Sequence, residues 1–381
     1  FRRLGTIQHA IDERLDRGSP RQSGPFEPIL TAAAAQILFL DVPDHAAVDL
    51  AIRHLHEDAR SARYAALGNA VLRRLVRERD QVLAETAADA FRDTPEWLAA
   101  SWSETYGPQV AAAIAASHRE EPSLDVTVKA DAARWAEALD GIALPTGSVR
   151  LRERQAIAEL PGFESGDWWV QDAAAALPAK LLAPQAGERI VDLCAAPGGK
   201  TAQIAAAGAE VTALDRSAPR LRRLKANLAR LGLTAHVVTA DAATWKAEPF
   251  DAVLLDAPCS ATGTIRRHPD VAWTKLPEDR DRLAGLQARL LDAAAELTKP
   301  GGRLVYCTCS LEAEEGEAQI SAFLARHPQF RRKPVEPAEI GGLTEAIDAN
   351  GDIRTLPHQL KGDSPRLSGW AGFYASRLIR L

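Results

Sequence analysis

The chain has 381 residues, 46% hydrophobic and 25% charged, with a formal net charge of −5. That length predicts two or three domains, and the negative balance excludes a general attraction for polyanions, so a nucleic acid would need a local basic patch. No stretch approaches about eighteen uninterrupted apolar residues and no basic-then-apolar leader is visible, so neither a membrane span nor a signal peptide is expected, and a cytoplasmic location is.

Starting at Phe1 and containing no Met, the chain is expected to lack the true beginning of its first domain. From Arg2 to about Asp80, apolar residues recur at three- and four-residue spacing in ILTAAAAQILFL and AALGNAVLRRLVRE, which predicts helices. The break at Asp41-Val42-Pro43-Asp44-His45 places Asp44 as an N-cap after Pro43. A second helical region is predicted from about Glu85 to Ser117. Alternation in Leu124, Val126 and Val128 then predicts a strand, and GSVRL at 147–151 another, so that residues 122–165 read as a small α/β insert.

From Gly187 onward the pattern becomes strand, turn, helix, repeated. RIVDL (189–193), EVTAL (210–214), AHVVT (235–239), DAVLL (251–255) and GRLVYC (302–307) read as strands, with helical patterns between the first three and before the last. This alternation predicts a Rossmann-like α/β domain, a doubly wound and mostly parallel sheet covered on both faces. Ligands in that architecture bind along the carboxyl ends of the strands.

The first of these strands runs into Cys194-Ala195-Ala196-Pro197-Gly198-Gly199-Lys200-Thr201. Small residues let the backbone approach a ligand closely, and the following helix offers free N–H groups. The GGKT stretch suggests a phosphate loop, but G-x-x-x-x-G-K-[ST] requires a glycine where this chain has Cys194. Asp215, at the tip of the second strand, can accept hydrogen bonds from both hydroxyls of a ribose. Asp241 follows the third strand, within reach of an adenine amino group. Either aspartate alone could equally cap a turn. Their joint placement describes a nucleoside-bearing ligand that needs no diphosphate, and S-adenosylmethionine fits it better than NAD.

The four cysteines, Cys194, Cys259, Cys307 and Cys309, do not form a disulfide scaffold. The fourth strand runs into Asp256-Ala257-Pro258-Cys259 and the fifth into Cys307-Thr308-Cys309. In the usual order of methyltransferase sheets these strands are neighbours about 4.8 Å apart, so Cys259 and Cys309 are expected over one rim, beside the cofactor. By alternation Cys307 belongs to the strand body; it and Cys194 read as buried packing. A zinc site would want four ligands, yet Cys-x-Cys is tighter than the usual spacing and no His pair accompanies it, so no metal is expected. Two thiols beside a methyl donor have a chemical rationale. The C5 carbon of a pyrimidine is too weak a nucleophile to take a methyl group until a thiolate has added to C6.

The motifs DLCAAPGGKT, LLDAPCSATGTIRRHPDVAW and LVYCTCSLEAEEGE, in this order, resemble those of the Sun/Fmu (Nop2/Sun) family of RNA 5-methylcytosine methyltransferases, over about residues 120 to 381. The resemblance implies that Cys309 is the nucleophile and that Cys259 assists product release. It also implies that Asp256 lies at the cofactor methionine and target base, with Asp215 and Asp241 on the cofactor's ribose and adenine. Residues 194 to 200 would wrap the donor, and Lys200 would face the reaction centre. One departure is that the family commonly has Glu-Asn-Glu where this chain has Glu315-Gly316-Glu317. Another is Lys129, at a position where the family usually shows Asn.

The first 80 or so residues resemble the NusB-like helical domain that this family fuses to enzymes acting on small-subunit ribosomal RNA. The expected organisation is therefore an all-α NusB-like RNA-binding domain at 1–82, a helical linker with a small RNA-recognition-like α+β subdomain at 83–165, and a methyltransferase domain at 166–381. Arg73, Arg74 and Arg77 could meet phosphates or form a solvated face. Arg266-Arg267-His268-Pro269-Asp270 is the better candidate for RNA contact, because it follows Cys259 and is expected at the mouth of the site. Trp168 and Trp169 could stack on bases, though paired Trp more often seals a junction. Arg220, Arg222, Arg223, Lys225 and Arg230 are expected to coat an exposed helix. The expected activity is S-adenosylmethionine-dependent cytosine-C5 methylation of 16S ribosomal RNA by a monomer, without metal or membrane. The alternatives are the same chemistry on transfer RNA and a non-catalytic assembly factor with a methyltransferase shell.

Overall fold

The computed structural model describes all of residues 1–381 and divides them into two units, one of residues 1–103 with 108–119 and one of residues 104–107 with 120–381. The first unit is all-helical, its main elements including Phe26–Phe39, Asp44–Glu57 and Ala65–Arg77. Ala65–Arg77 buries Ala65, Gly68, Val71, Leu72 and Leu75, the three- and four-residue spacing that puts one stripe of a helix in a core. Gly68 lets the helices approach closely, since a Cβ there would stand 2.7 Å from the Leu55 side chain. Asp44 corrects the capping expectation. It is the first helical residue rather than the cap, Pro43 supplies no side-chain hydrogen bond, and the Asp44 carboxylate pairs with Arg79 instead.

The second unit contains twelve strands: β1 (Asp125–Val128), β2 (Gly141–Ala143), β3 (Ser148–Leu151), β4 (Trp168–Val170), β5 (Arg189–Leu193), β6 (Glu210–Asp215), β7 (His236–Thr239), β8 (Phe250–Asp256), β9 (Thr298–Thr308), β10 (Phe330–Arg332), β11 (Ile353–Thr355) and β12 (Phe373–Arg380). The first four form a small antiparallel sheet in the order β2-β3-β1-β4. The large sheet runs β10-β12-β9-β8-β5-β6-β7, with β11 paired to β12. Within it β9, β8, β5, β6 and β7 are mutually parallel, while β12 is antiparallel to β9, β10 and β11.

The central strands are apolar on both faces because both faces are covered. Ile190, Leu254 and Val305 enter one core; Val191, Leu193, Leu255 and Leu304 enter the other. The helix Ala218–Arg230 shows the complementary pattern, burying Leu221, Leu224 and Leu228 while Arg220, Arg222, Arg223 and Lys225 stay exposed as expected; Arg230 does not, because its guanidinium donates to the carbonyls of Phe163 at 2.5 Å and Trp168 at 3.3 Å. Consecutive strands step one way from β5 through β7, and the other way from β5 to β8 and β9. That reversal opens a crevice beyond the carboxyl ends of β5 and β8, where open α/β sheets bind ligands. No helix is long and apolar enough to cross a membrane.

Candidate active site

The loop after β5 begins with Cys194 in the left-handed region (φ +62°), and Gly198 (φ +105°) caps the helix Gly199–Ala206. Gly198 must be small as well as left-handed, because a Cβ would press on Leu224 at 2.8 Å. Ala195 and Ala196 are buried. Lys200, in the first turn of that helix, turns toward the strand ends and pairs with Asp256 at 2.8 Å while its ammonium sits 5.0 Å from the Phe373 ring centre. Burial works against the Lys200 charge, but the Asp256 carboxylate outweighs it and raises the lysine above its ordinary range, so the ammonium is kept. The same apolar setting pushes Asp192, on β5, up to about 7 and Cys194 up to about 12.

Asp215 ends β6, is 2% exposed, and accepts the amide N–H groups of Ser217 at 2.8 Å and Ala196 at 3.3 Å, with Arg220 at 3.1 Å. Asp241 is exposed and accepts the N–H of Ala243 at 2.9 Å. Both aspartates therefore cap turns, and both also line one open cleft whose walls include Leu214, Pro258, Leu286 and Leu290, with Arg216 and Arg220 at its edge. Apolar walls suited to a flat ring, with carboxylates able to accept from hydroxyls and an amine, match the nucleoside part of S-adenosylmethionine. Pro258 belongs to this cleft and immediately precedes Cys259, so the cleft adjoins the reacting side.

There β8 and β9 run in register, Asp256 opposite Cys307. The loops beyond them bring Cys259 Sγ and Cys309 Sγ within 3.4 Å, both sulfurs on partly buried residues. The hydrogen bond to Cys309, together with burial and the nearby Glu315, holds the Cys259 thiol well above the ordinary range. Cys307 is fully buried in the strand body, as alternation predicts, with its thiol 3.5 Å from Asp256. Across the whole chain no group of three His, Cys, Asp or Glu side chains is placed to hold a metal ion.

The arginines at 266 and 267 are both committed to partners within the protein. Arg266 is 4% exposed and donates to the carbonyls of Pro365 at 2.8 Å, of Glu120 and Glu121 at 3.4 Å, and of Ser368. Arg267 donates to Asp172 at 2.9 Å and to the Ser123 carbonyl at 3.0 Å, and lies 3.7 Å from Asp125, which Arg150 holds at 2.7 Å. These guanidinium groups fasten the small sheet to the large one. Trp168 and Trp169 are buried too, bonded to the Pro161 carbonyl and to Gln171. Lys129 donates to the Leu231 carbonyl at 2.5 Å.

Gly316 has a local reason. A Cβ there would meet the Arg354 guanidinium at 2.5 Å. Arg354 fills the space, donating to the Ser310 carbonyl at 2.6 Å and to both oxygens of Glu317. Arg354, Glu315 and Gln287 hold the residues next to the thiols, at Ser310, Ser260 and Pro258; the sequence pointed to Glu315 only as part of a departure from the family pattern and gave the other two no role. The only signal was the acidic run itself, which at that level is indistinguishable from a solvated helix start.

A family model described as 16S rRNA methyltransferase RsmB/F matches residues 179–378, and one described as NusB family matches residues 1–77. The chain is 39% identical over 356 residues to the ribosomal RNA small subunit methyltransferase B of Vibrio cholerae, covering 89% of this chain and 81% of that protein. It is 37% identical over 398 residues to the protein of the same name from Cronobacter sakazakii, covering 100% and 88%. Among solved structures, a methyltransferase homolog protein from Pyrococcus horikoshii is 26% identical with a TM-score of 0.61, covering 75% of this chain and 95% of that one.

Proposed function

Because the chain belongs to the RsmB/F family and is an S-adenosylmethionine-dependent rRNA methyltransferase, we propose that it forms 5-methylcytosine in 16S rRNA through a transient bond between Cys309 and C6 of the base. The observation that carries this reading is the 3.4 Å separation of the Cys259 and Cys309 sulfurs, on the same rim as the cofactor cleft.

Bound S-adenosylmethionine supplies an electrophilic methyl group. We assign the loop from Cys194 to Lys200 to enclosing it, Asp215 to its ribose hydroxyls and Asp241 to its adenine amino group. Asp256, oriented by Lys200, then faces both the methionine end of the cofactor and the target base. The base must leave its stack for sulfur to reach C6, so the substrate region is single-stranded or opened on binding. The Cys309 thiolate donates an electron pair to C6, and the displaced π pair makes C5 nucleophilic enough to take the methyl group. For release, the C5 hydrogen departs as a proton to water and its electron pair re-forms the C5–C6 double bond. The C6–S bond breaks, and its pair stays on Cys309. A Cys259 thiol that keeps its proton donates a hydrogen bond to that sulfur, stabilising it as a thiolate before attack and on leaving.

The test is methyl transfer from labelled S-adenosylmethionine to unmodified 16S rRNA, assembled small subunits and transfer RNA, followed by nucleoside analysis. The reading requires label in 5-methylcytidine from 16S rRNA. Label confined to transfer RNA supports that alternative, and no label in any RNA supports the non-catalytic one.

A further inference from the structure

Both cysteines are followed by a serine, and both serines are fully buried. Ser260 Oγ and Ser310 Oγ lie 3.1 Å apart, a serine-to-serine contact directly behind the sulfur-to-sulfur one. Beneath them is the Glu315 carboxylate, also fully buried. It accepts the Ser260 amide N–H at 2.9 and 3.2 Å, the Ser260 hydroxyl, and Gln287 Nε2 at 3.0 Å. Gln287 also donates to the Pro258 carbonyl at 2.9 Å. On the other side, the Glu315 main-chain carbonyl accepts Tyr306 Oη at 2.7 Å and Thr308 Oγ1 at 3.2 Å, both from β9.

We propose that Glu315 is a positioning residue for both thiols: its side chain grips the loop that carries Cys259, its main chain grips the strand that carries Cys309, and together they set the distance between the sulfurs. This assignment rests on the two-thiol reading above. Glu315 forms no ion pair, so its buried carboxylate is held by neutral donors alone, and three of its four contacts go to the residue after Cys259. A buried polar network of this kind is stable only when fully satisfied, and it then allows one arrangement of the groups it connects. An apolar residue of similar volume would serve packing as well without fixing the Ser260 amide. The carboxylate also lies close enough to Cys259 to favour its protonated form.

The experiment follows single-turnover methylation of in vitro transcribed 16S rRNA by the full chain, with adduct formation and release resolved on denaturing gels. Glu315→Gln replaces one of the two accepting oxygens with a donor that the Ser260 and Gln287 donors cannot use; Ser260→Ala removes the hydroxyl's contacts with Glu315 and Ser310 and leaves the amide contacts in place. In Glu315→Gln, release should slow about 10- to 100-fold, as expected for a displaced catalytic group, while the KM for S-adenosylmethionine stays within about two-fold. Ser260→Ala should slow it about three- to ten-fold. The midpoint pH for alkylation of Cys259 by iodoacetamide should fall in Glu315→Gln, because a negative charge has been removed. Should Glu315→Gln not fold, Ser260→Ala is compared with Ser310→Ala, which breaks the serine-to-serine contact alone of the two made by the Ser260 hydroxyl: slower release in Ser260→Ala than in Ser310→Ala upholds the assignment, and equal or wild-type release overturns it. Cys259→Ala serves as the control. If it traps adduct while both variants release product at the wild-type rate, only the assignment of Glu315 falls. If it traps none, the two-thiol reading fails and takes the assignment with it.

Discussion

Asp256 and Cys307 are register partners on adjacent parallel strands, and the Cys307 carbonyl accepts the Ala257 N–H at 2.9 Å. The two strands therefore end in step. The Cys309 carbonyl accepts the Gly263 N–H at 3.0 Å, so the loops beyond the strands stay tied together past the sheet. The facing sulfurs follow from strand register together with these loop-to-loop bonds, which is how residues fifty positions apart come within 3.4 Å of each other.

Asp215 both caps its turn and lines the nucleoside cleft. Replacing it with Ala should raise the KM for S-adenosylmethionine about 10- to 100-fold, the equivalent of losing a charge-assisted hydrogen bond, with kcat at saturation nearly unchanged. A melting temperature that falls without a change in KM would reduce Asp215 to a cap. Steady-state kinetics at varied cofactor concentration separates the two.

Burial pushes the Asp192 carboxyl up to about 7, against the Thr201 hydrogen bond that favours its charged form, with Asp256 adding to the rise. The folded chain thus keeps a proton that the unfolded chain has lost above about pH 4. The stability contribution of this group is greatest below pH 4, declines as pH rises to about 7, and is constant beyond. Asp192→Asn removes the titration. The melting temperature of the variant relative to wild type should therefore rise by about 5 °C between pH 5 and pH 8. A difference that is flat with pH contradicts the shift.

Arg267 neutralises Asp172, whose side chain is 8% exposed, and approaches the fully buried Asp125. Arg267→Leu leaves them undercompensated and should destabilise the second unit by about 3 kcal/mol, measured by denaturant unfolding. In protein that remains folded, the dependence of RNA affinity on salt should be unchanged. A slope shallower by about one would identify Arg267 as a phosphate contact after all.

The strand tips were legible because β5, β6, β8 and β9 are apolar runs that stop at small or polar residues, and the end of the last run separated Cys307, inside the strand, from Cys309, just past it. Strand β12 was not, because it carries charges that look exposed. Arg377 is 2% exposed, its guanidinium held by Glu339 and the carbonyls of Leu181 and Pro334, and none of those partners is near it in sequence. Arg266 was misread for the same reason: a basic pair beside a reactive cysteine resembles a substrate contact until the carbonyls of Pro365 and Ser368 are seen to take up its donors. Glu315 shows the opposite failure, an acid in an acidic run that is fully buried. Local pattern reports which residues are apolar. It does not report which polar ones have found partners a hundred residues away.

In the proposed mechanism Cys309 bonds to the base and Cys259 lets it go. Cys259→Ala incubated with S-adenosylmethionine and 16S rRNA, then digested with nuclease and protease and read by peptide mass, tests it most directly. A methylated cytidine remnant is expected on the peptide that contains Cys309, and no remnant when Cys309→Ser is added. A remnant on any other residue, or an unmodified Cys309 peptide from enzyme that still methylates, would contradict it.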